Sequence, residues 1–319
     1  MKLGIVGSGM IVHDLLSIAD QIENLELTAI STTKRSEAVG TSLARNYGIK
    51  KTYTDNEDLF NDEEVDTIYV AVPNSLHYEV AKAALEHDKN VICEKPFVDT
   101  AEQARELKQI ANDHHKLIAE AITNIHLENY AHIKDALADI GPIHIVILNY
   151  TQYSSRYDSF LEGEIAPVFD PKRGGGALMD LNIYNIHLAV GLFGKPNYVH
   201  YQPNIQKGVD TSGILTLGYE DKQAVLIASK DSFAHQRSFI EGEKGTVFFD
   251  GSTGTLDNYT IDLKAGASQG YNFNSHSHRM VSEFTDFVKA IDSHDQELVD
   301  KWFTHSLTVM EVLAQAKAN

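Results

Sequence analysis

The chain has 319 residues, enough for one large domain or two ordinary ones, and its 43% apolar and 23% charged residues fit a soluble globular protein with a sizeable core. A formal net charge of −18, from 45 acidic against 27 basic residues, repels phosphate backbones and anionic membrane faces, which excludes nucleic acid and membrane as expected partners. The one cysteine, Cys93, rules out an intrachain disulfide, and no signal-peptide pattern or apolar run of ~20 residues is seen, so a cytoplasmic protein is expected.

The first part of the chain alternates short apolar runs with helical patterns. LGIVG (3–7) reads as a buried strand, 11–22 as a helix, LELTAIST (25–32) as a second strand and 36–47 as a helix, with a short piece near Thr52 and Tyr53. TIYVAVP (67–73) is a third strand, 75–88 an amphipathic helix, NVICEKP (90–96) a further strand, 100–112 a helix and KLIAEAIT (116–123) the last strand of the series. Asp99 and Thr100, with Glu102 and Gln103 three residues on, carry capping-box signals for that last helix. Non-alternating apolar strands between helices predict a parallel sheet covered on both faces.

Beyond residue ~122 the grammar changes. A helix over 126–138 ends at Gly141-Pro142 and is followed by β-rich runs at 143–153, 213–220, 223–229, 237–250 and 256–263, with EDK and EGEKG as hairpin turns. Two helices, 277–292 and 296–317, close the chain. The expected fold is therefore α/β: an N-terminal Rossmann domain with a doubly wound parallel sheet (1–121), then an α+β domain with an open, largely antiparallel sheet (122–319). The last helices are expected to pack back on the first domain.

Four stretches carry chemistry. GIVGSGMIV (4–12) has the form G-x-G-x-x-V: Gly7 permits a tight turn, Gly9 lets backbone approach a pyrophosphate, and the following helix N-terminus favours negative charge. Gly7, Ser8, Gly9, Met10 and Ile11 are thus cofactor-binding candidates, although Val12 stands where a third glycine is usual. AISTTKR (29–35) lacks the acid that binds the ribose hydroxyls of NAD. Thr32 and Thr33 can hydrogen-bond a 2′-phosphate and Lys34 or Arg35 can neutralise it, so NADP is expected over NAD. CEKP (93–96) puts Glu94 and Lys95 at the carboxyl end of a parallel strand, where ligands bind in such sheets. A lysine beside a cationic nicotinamide can exchange protons near neutral pH.

The fourth stretch is GGGALMDLNIYNIH (174–187), three glycines running into a helix. On a helix Asp180, Tyr184 and His187 form one stripe, flanked by Leu181, Leu188 and Leu192 on one side and Met179, Ile183, Ile186 and Val190 on the other. Arg156 and Arg173, in the loop before the glycines, are secondary candidates for a substrate contact. HSHR (276–279) and His114-His115 lack a convincing ligand set with Cys or paired carboxylates, so no metal is expected.

IVGSG, VAVPNSLHYEVAKAAL (70–85), NVICEKP and GGGALMD, in this order and spacing, resemble the glucose–fructose oxidoreductase / inositol dehydrogenase / MocA family across about the first 190 residues. The resemblance implies a Rossmann domain, a second domain whose open sheet forms a homodimer or homotetramer interface, and NAD(P)-dependent oxidation or reduction of sugars, polyols and related carbonyl compounds. It makes Lys95 the catalytic lysine, Asp180 the aspartate of GGGALxD, and Tyr184 the proton donor, as in the branch with glucose–fructose oxidoreductase and dimeric dihydrodiol dehydrogenase. Pro73, Asn74 and His77 match the loop near the nicotinamide and its ribose. Asn182 replaces a usual glycine and His187 a usual Asp or Asn; His187 is expected to relay protons or contact substrate. Two alternatives stay open: NAD-dependent glycoside hydrolysis, which the basic STTKR disfavours, and a non-catalytic cofactor-binding regulator, which the retained Lys95, Asp180 and Tyr184 disfavour.

Overall fold

In the computed structural model, which describes residues 1–318, the chain divides into two compact units. One comprises Met1–Ala121 and Met280–Leu307, the other Ile122–Arg279 and the residues from Thr308 onward.

The first unit is built on six strands: β1 (Lys2–Val6), β2 (Glu26–Ser31), β3 (Lys51–Tyr53), β4 (Thr67–Val70), β5 (Asn90–Glu94) and β6 (Ile118–Ala121). All pair in parallel, in the order β3-β2-β1-β4-β5-β6. This is the doubly wound order, whose winding reverses between β1 and β4 and so opens a crevice at their carboxyl ends. Helices α1 (Met10–Ile18), α2 (Glu37–Tyr47), α3 (Asn56–Phe60), α4 (His77–Glu86) and α5 (Ala101–Asp113) make the crossovers. Every residue of β4 and β6 is buried, as expected for strands covered on both faces. The capping box at α5 is formed: Thr100 Oγ1 accepts from the Gln103 amide, and Gln103 Oε1 accepts from the Thr100 amide.

The second unit contains α6 (Glu128–Ala136), β7 (Ile143–Thr151), α7 (Tyr157–Glu162) and α8 (Ile183–Phe193), then β8 (Tyr198–Gln206), β9 (Val209–Gly218), β10 (Gln223–Ser229), β11 (Arg237–Gly242), β12 (Gly245–Asp250), β13 (Tyr259–Leu263) and β14 (Gln269–Tyr271). The strands form one sheet, ordered β14-β13-β12-β11-β7-β10-β9-β8. It is antiparallel except where β7 pairs with β10. Along β7 and β10 the side chains alternate as the pleat requires. Val146, Leu148, Ala224, Leu226 and Ala228 are buried, while Ile145, Val225 and Ile227 point to the other, more open face.

Helices α9 (Arg279–Ser293) and α10 (Gln296–Ala318) follow. Met280, Phe284, Phe287 and Ile291 of α9 share one core with Leu3, Ile5, Ile30, Tyr69 and Ile92 of the parallel sheet. Tyr69 and Phe284 meet edge to face with ring centres 5.2 Å apart. Strands β8 and β14 and the short helices α3 and α7 are additions to the sequence reading. Most of β8 is solvent-exposed, so it has no apolar run to betray it.

Candidate active site

In the first unit, β1 runs through Gly7-Ser8-Gly9 into α1. Gly7 has φ +125°, and a Cβ there would lie 2.2 Å from the Ala71 carbonyl oxygen, so neither the conformation nor the space admits a side chain. Its amide donates to Ser31 O at 2.9 Å, drawing the loop against β2. Gly9 caps α1 in an extended conformation, and a Cβ built on it would meet nothing within 4 Å. Bare backbone thus faces open space at the positive end of a helix, which fits a dinucleotide's pyrophosphate. Met10 is exposed there and Ile11 half-buried, whereas Val12 is fully buried in the core, occupying with side chain the place where a third glycine would let helix and strand meet.

At the end of β2 the four positions differ. Thr32 is buried, and its methyl and hydroxyl lie against Gly40 of α2, where any added Cβ would come within 3.0 Å. Thr33, Lys34 and Arg35 are exposed, and Thr33 Oγ1 donates to Ser36 Oγ at 3.3 Å. The exposed hydroxyl and two exposed cations are what a 2′-phosphate would meet.

The turn after β5 is fixed by buried groups. The His77 ring is fully buried, with Nδ1 3.0 Å from Pro96 O and Nε2 3.0 Å from Val72 O. It ties the loop bearing Pro73 and Asn74 to the turn bearing Lys95. Glu120 Oε1 accepts from the Phe97 amide at 2.9 Å. Glu94 accepts a hydrogen bond from the Tyr69 hydroxyl, and its other oxygen takes the Lys95 amide at 3.2 Å. Burial pushes the Glu94 carboxyl up, against the downward pull of Tyr69 and Lys95. Lys95 itself is half-buried.

The second unit holds the glycine run and its helix. Gly176 has φ +120°, and a Cβ on it would fall 1.9 Å from Asp210 Oδ1. That carboxylate accepts from the Leu178 amide and from the Tyr201 hydroxyl, each at 2.7 Å. Asp210 therefore caps the helix start in a place only a glycine loop leaves open. Burial pushes the Asp210 carboxyl up, while Tyr201 and the Leu178 amide pull it down.

Here the structure corrects the expected stripe. Leu178–Asn182 forms a π-helical turn, and α-helix begins only at Ile183. The α-helical spacing therefore does not carry from Asp180 to Tyr184. Asp180 lies within the π turn and keeps 31% of its side chain exposed, pairing at 2.7 Å with the Nζ of Lys230. Tyr184 and His187 lie on regular helix and are buried, His187 completely. The helix is buried all round over Ile183–Val190, so its apolar flanks are core on every side. The Tyr184 ring packs near Tyr150, with centres 5.5 Å apart, and the Arg279 guanidinium lies 5.5 Å from its centre.

Amide side chains stitch this helix to its surroundings. Asn182 Nδ2 donates to Leu226 O at 3.3 Å, and Asn185 Nδ2 to Ile227 O at 3.0 Å. Asn124 Nδ2 donates to Tyr184 O at 2.9 Å and to Thr253 O at 3.0 Å. Asn182, a departure from the family pattern, thus ties the π turn to β10. Arg156 and Arg173 are exposed, the latter beside Asp170 at 3.4 Å.

Two family models match the chain: "Oxidoreductase family, NAD-binding Rossmann fold" over residues 1–122 and "GFO/IDH/MocA C-terminal domain" over residues 130–248. A scyllo-inositol 2-dehydrogenase (NADP(+)) of Bacillus subtilis (strain 168) is 30% identical over 318 residues, 99% of this chain and 96% of that protein. The chain belongs to the Gfo/Idh/MocA family. As a member it is a nicotinamide-dependent oxidoreductase with a Rossmann domain followed by a C-terminal domain built on a mostly antiparallel sheet. A trans-1,2-dihydrobenzene-1,2-diol dehydrogenase of Xenopus tropicalis is 27% identical over 252 residues, covering 77% of this chain and 74% of that one. Among solved structures, a 3-ketoreductase from Actinomadura kijaniata in complex with NADP and TDP-benzene shares the fold, with a TM-score of 0.87 at 20% identity over 100% of this chain and 97% of that one.

Lys230, Asp210, Asn124, Asn185 and Arg279 were not singled out from the sequence. Lys230 had a signal: it follows the apolar run QAVLIAS directly, much as Lys95 follows NVICE. The others act through contacts between residues far apart in the chain, which spacing does not reveal.

Proposed function

We propose that this Gfo/Idh/MocA enzyme is an NADP(H)-dependent dehydrogenase or reductase that interconverts a secondary alcohol and a ketone on a polyol, sugar or small diol. The observation that carries the cofactor preference is the end of β2: exposed Thr33, Lys34 and Arg35, with no acid from Thr32 to Arg35. The substrate class is supported by the polyol and diol dehydrogenases named among the relatives.

A nicotinamide held there would supply or accept the hydride. Lys95 and Tyr184 exchange the proton at the substrate oxygen, one as donor and the other as orienting partner. Asp180 accepts a hydrogen bond from a substrate hydroxyl. His187, buried three residues beyond Tyr184 on α8, relays the proton. Gly7 to Ile11 hold the pyrophosphate, and Pro73, Asn74, His77 and Glu94 shape the loops around the ribose and nicotinamide.

Fluorescence titration with NADPH and NADH tests the preference; tighter binding of NADH overturns it. A turnover panel of scyllo-inositol, D-xylose and trans-1,2-diols with NADP⁺, and of the matching ketones with NADPH, tests the reaction class. No turnover on any member overturns it.

The open sheet face supports a homo-oligomer in which it meets a second copy. Phe248, Phe239, Ile147 and Val225 are neighbours in one cross-strand row, and Ile145, Ile214 and Tyr198 on this sheet are 39%, 47% and 56% exposed. Light scattering of wild type and Val225→Glu tests this: a monomer in both overturns it. A cytoplasmic location is supported by the single free cysteine, which is buried. No helix among the described residues is long and apolar enough to cross a membrane.

A further inference from the structure

Lys230 is an unusual residue for its place. It follows β10, yet its side chain is only 3% exposed. Its Nζ donates to Val168 O and to Asp180 Oδ2, each at 2.7 Å, and lies 4.9 Å from the centre of the Phe169 ring. Backbone bonds fix it on both sides: its amide donates to Thr211 O at 2.8 Å, and its carbonyl accepts from the Ser154 amide at 2.9 Å. The next residue anchors the turn further, since Asp231 accepts from the hydroxyls of Thr211, Ser212 and Ser229 at 2.6, 3.0 and 2.8 Å. A lysine this buried is costly unless its charge is paired. Its carboxylate partner, however, is not buried with it, because Asp180 keeps 31% exposure. A pair whose only task is to hold a core together would hide both members. Here the ammonium stands behind a carboxylate that still faces outward from the π turn.

We infer that Lys230 is a positioning residue for the reaction: its buried ammonium fixes the rotamer of Asp180 and holds it as an anion. Asp180 then serves as an acceptor toward a substrate hydroxyl and not as a proton donor, and the proton exchange falls to Lys95 and Tyr184. The inference rests on the reading of Asp180 as a group that meets substrate. In this role Lys230 acts on the reaction through Asp180.

A double-mutant cycle tests it, run on the panel substrate with the highest turnover. Lys230→Met is expected to lower kcat/KM at least tenfold with NADPH affinity within twofold of wild type. Lys230→Gln, which keeps a donor for Val168 O but carries no charge, is expected to fall by a similar factor. It also serves as the test if the Met variant does not fold. In an Asp180→Asn background either change is expected to cost less than twofold. Wild-type turnover in Lys230→Gln overturns the inference. So does an equal loss with and without the Asp180→Asn change, since Lys230 would then be holding the Val168 loop and not Asp180. If Asp180→Asn alone leaves kcat/KM unchanged, or no panel member is turned over, the parent reading of Asp180 falls and this inference with it.

Discussion

Lys95 and Asp180 each sit where a loop meets a regular element, but they are placed in different ways. Lys95 leaves the end of a parallel strand, and the backbone of its turn is gripped by buried side chains of the same unit: His77 on the Pro96 and Val72 carbonyls, and Glu120 on the Phe97 amide. Asp180 sits in a turn held by side chains from strands far along the chain, Asp210 beneath the helix start and Lys230 on the carboxylate itself. One reactive group is placed by topology, since every doubly wound sheet presents residues at its carboxyl edge. The other is placed by a private network of polar side chains. A strand end recurs in every such sheet, whereas the grip on the Asp180 carboxylate depends on Lys230 in particular.

The contrast can be broken at several points. The largest effect is expected at Lys95→Met, where loss of the proton-exchanging group should lower kcat/KM by about 10³-fold while leaving NADPH binding intact. Near-normal turnover on a true substrate would end the case for Lys95. Next comes a pair of glycines. Gly176→Ala must escape a contact of 1.9 Å with Asp210 and an unfavourable φ of +120°, and should cost about 3 kcal/mol in denaturant unfolding. Gly9→Ala meets nothing within 4 Å; its stability should stay within about 0.5 kcal/mol of wild type, with the loss appearing in NADPH affinity. Equal stability losses in the two variants would erase the distinction between a loop shaped by contact and one shaped for a ligand.

Tyr184→Phe keeps the ring that packs near Tyr150 and Arg279 and removes only the hydroxyl. A fall in kcat/KM of about 30-fold, with unchanged melting, is expected from steady-state rates. The smallest effect concerns Glu94. Its carboxyl is raised above the ordinary value of 4.5, so the folded chain keeps that proton to higher pH than the unfolded chain does. Stability from this group is present below 4.5 and is lost as pH rises through the folded value. Whatever fixed cost Glu94→Gln carries, its melting temperature relative to wild type should rise as pH goes from 4 toward neutral, since about one proton fewer is linked to its folding. A difference that stays flat across that range would show that Glu94 does not titrate in it.

The parallel sheet was legible because its strands are short uniform apolar runs between helical patterns. The Thr100–Gln103 box, the Gly7 turn and the Lys95 strand end are likewise local in sequence, and local rules reach them. The half of the candidate site around Asp180 was legible only as a list of residues. A period of 3.6 assumes an unbroken α-helix, and the π turn over Leu178–Asn182 breaks it without leaving a compositional trace. Lys230 lies 50 residues from Asp180 and Asp210 32 residues from Leu178, separations at which spacing arguments have no purchase. Strand β8 was missed for a simpler reason, having too little buried surface to leave a pattern.

The π turn has one consequence of its own. Successive residues of an α-helix are turned by about 100°, so one residue more in a turn rotates everything before it against everything after it by that angle. The glycine loop and Asp180 can thus be dialled around the helix axis while Tyr184 and His187 stay seated among their neighbours. Such a rotation needs an inserted or deleted residue and no change of side chain. A lineage could therefore re-aim its aspartate at a differently shaped alcohol by changing the length of this turn, leaving the buried helix intact.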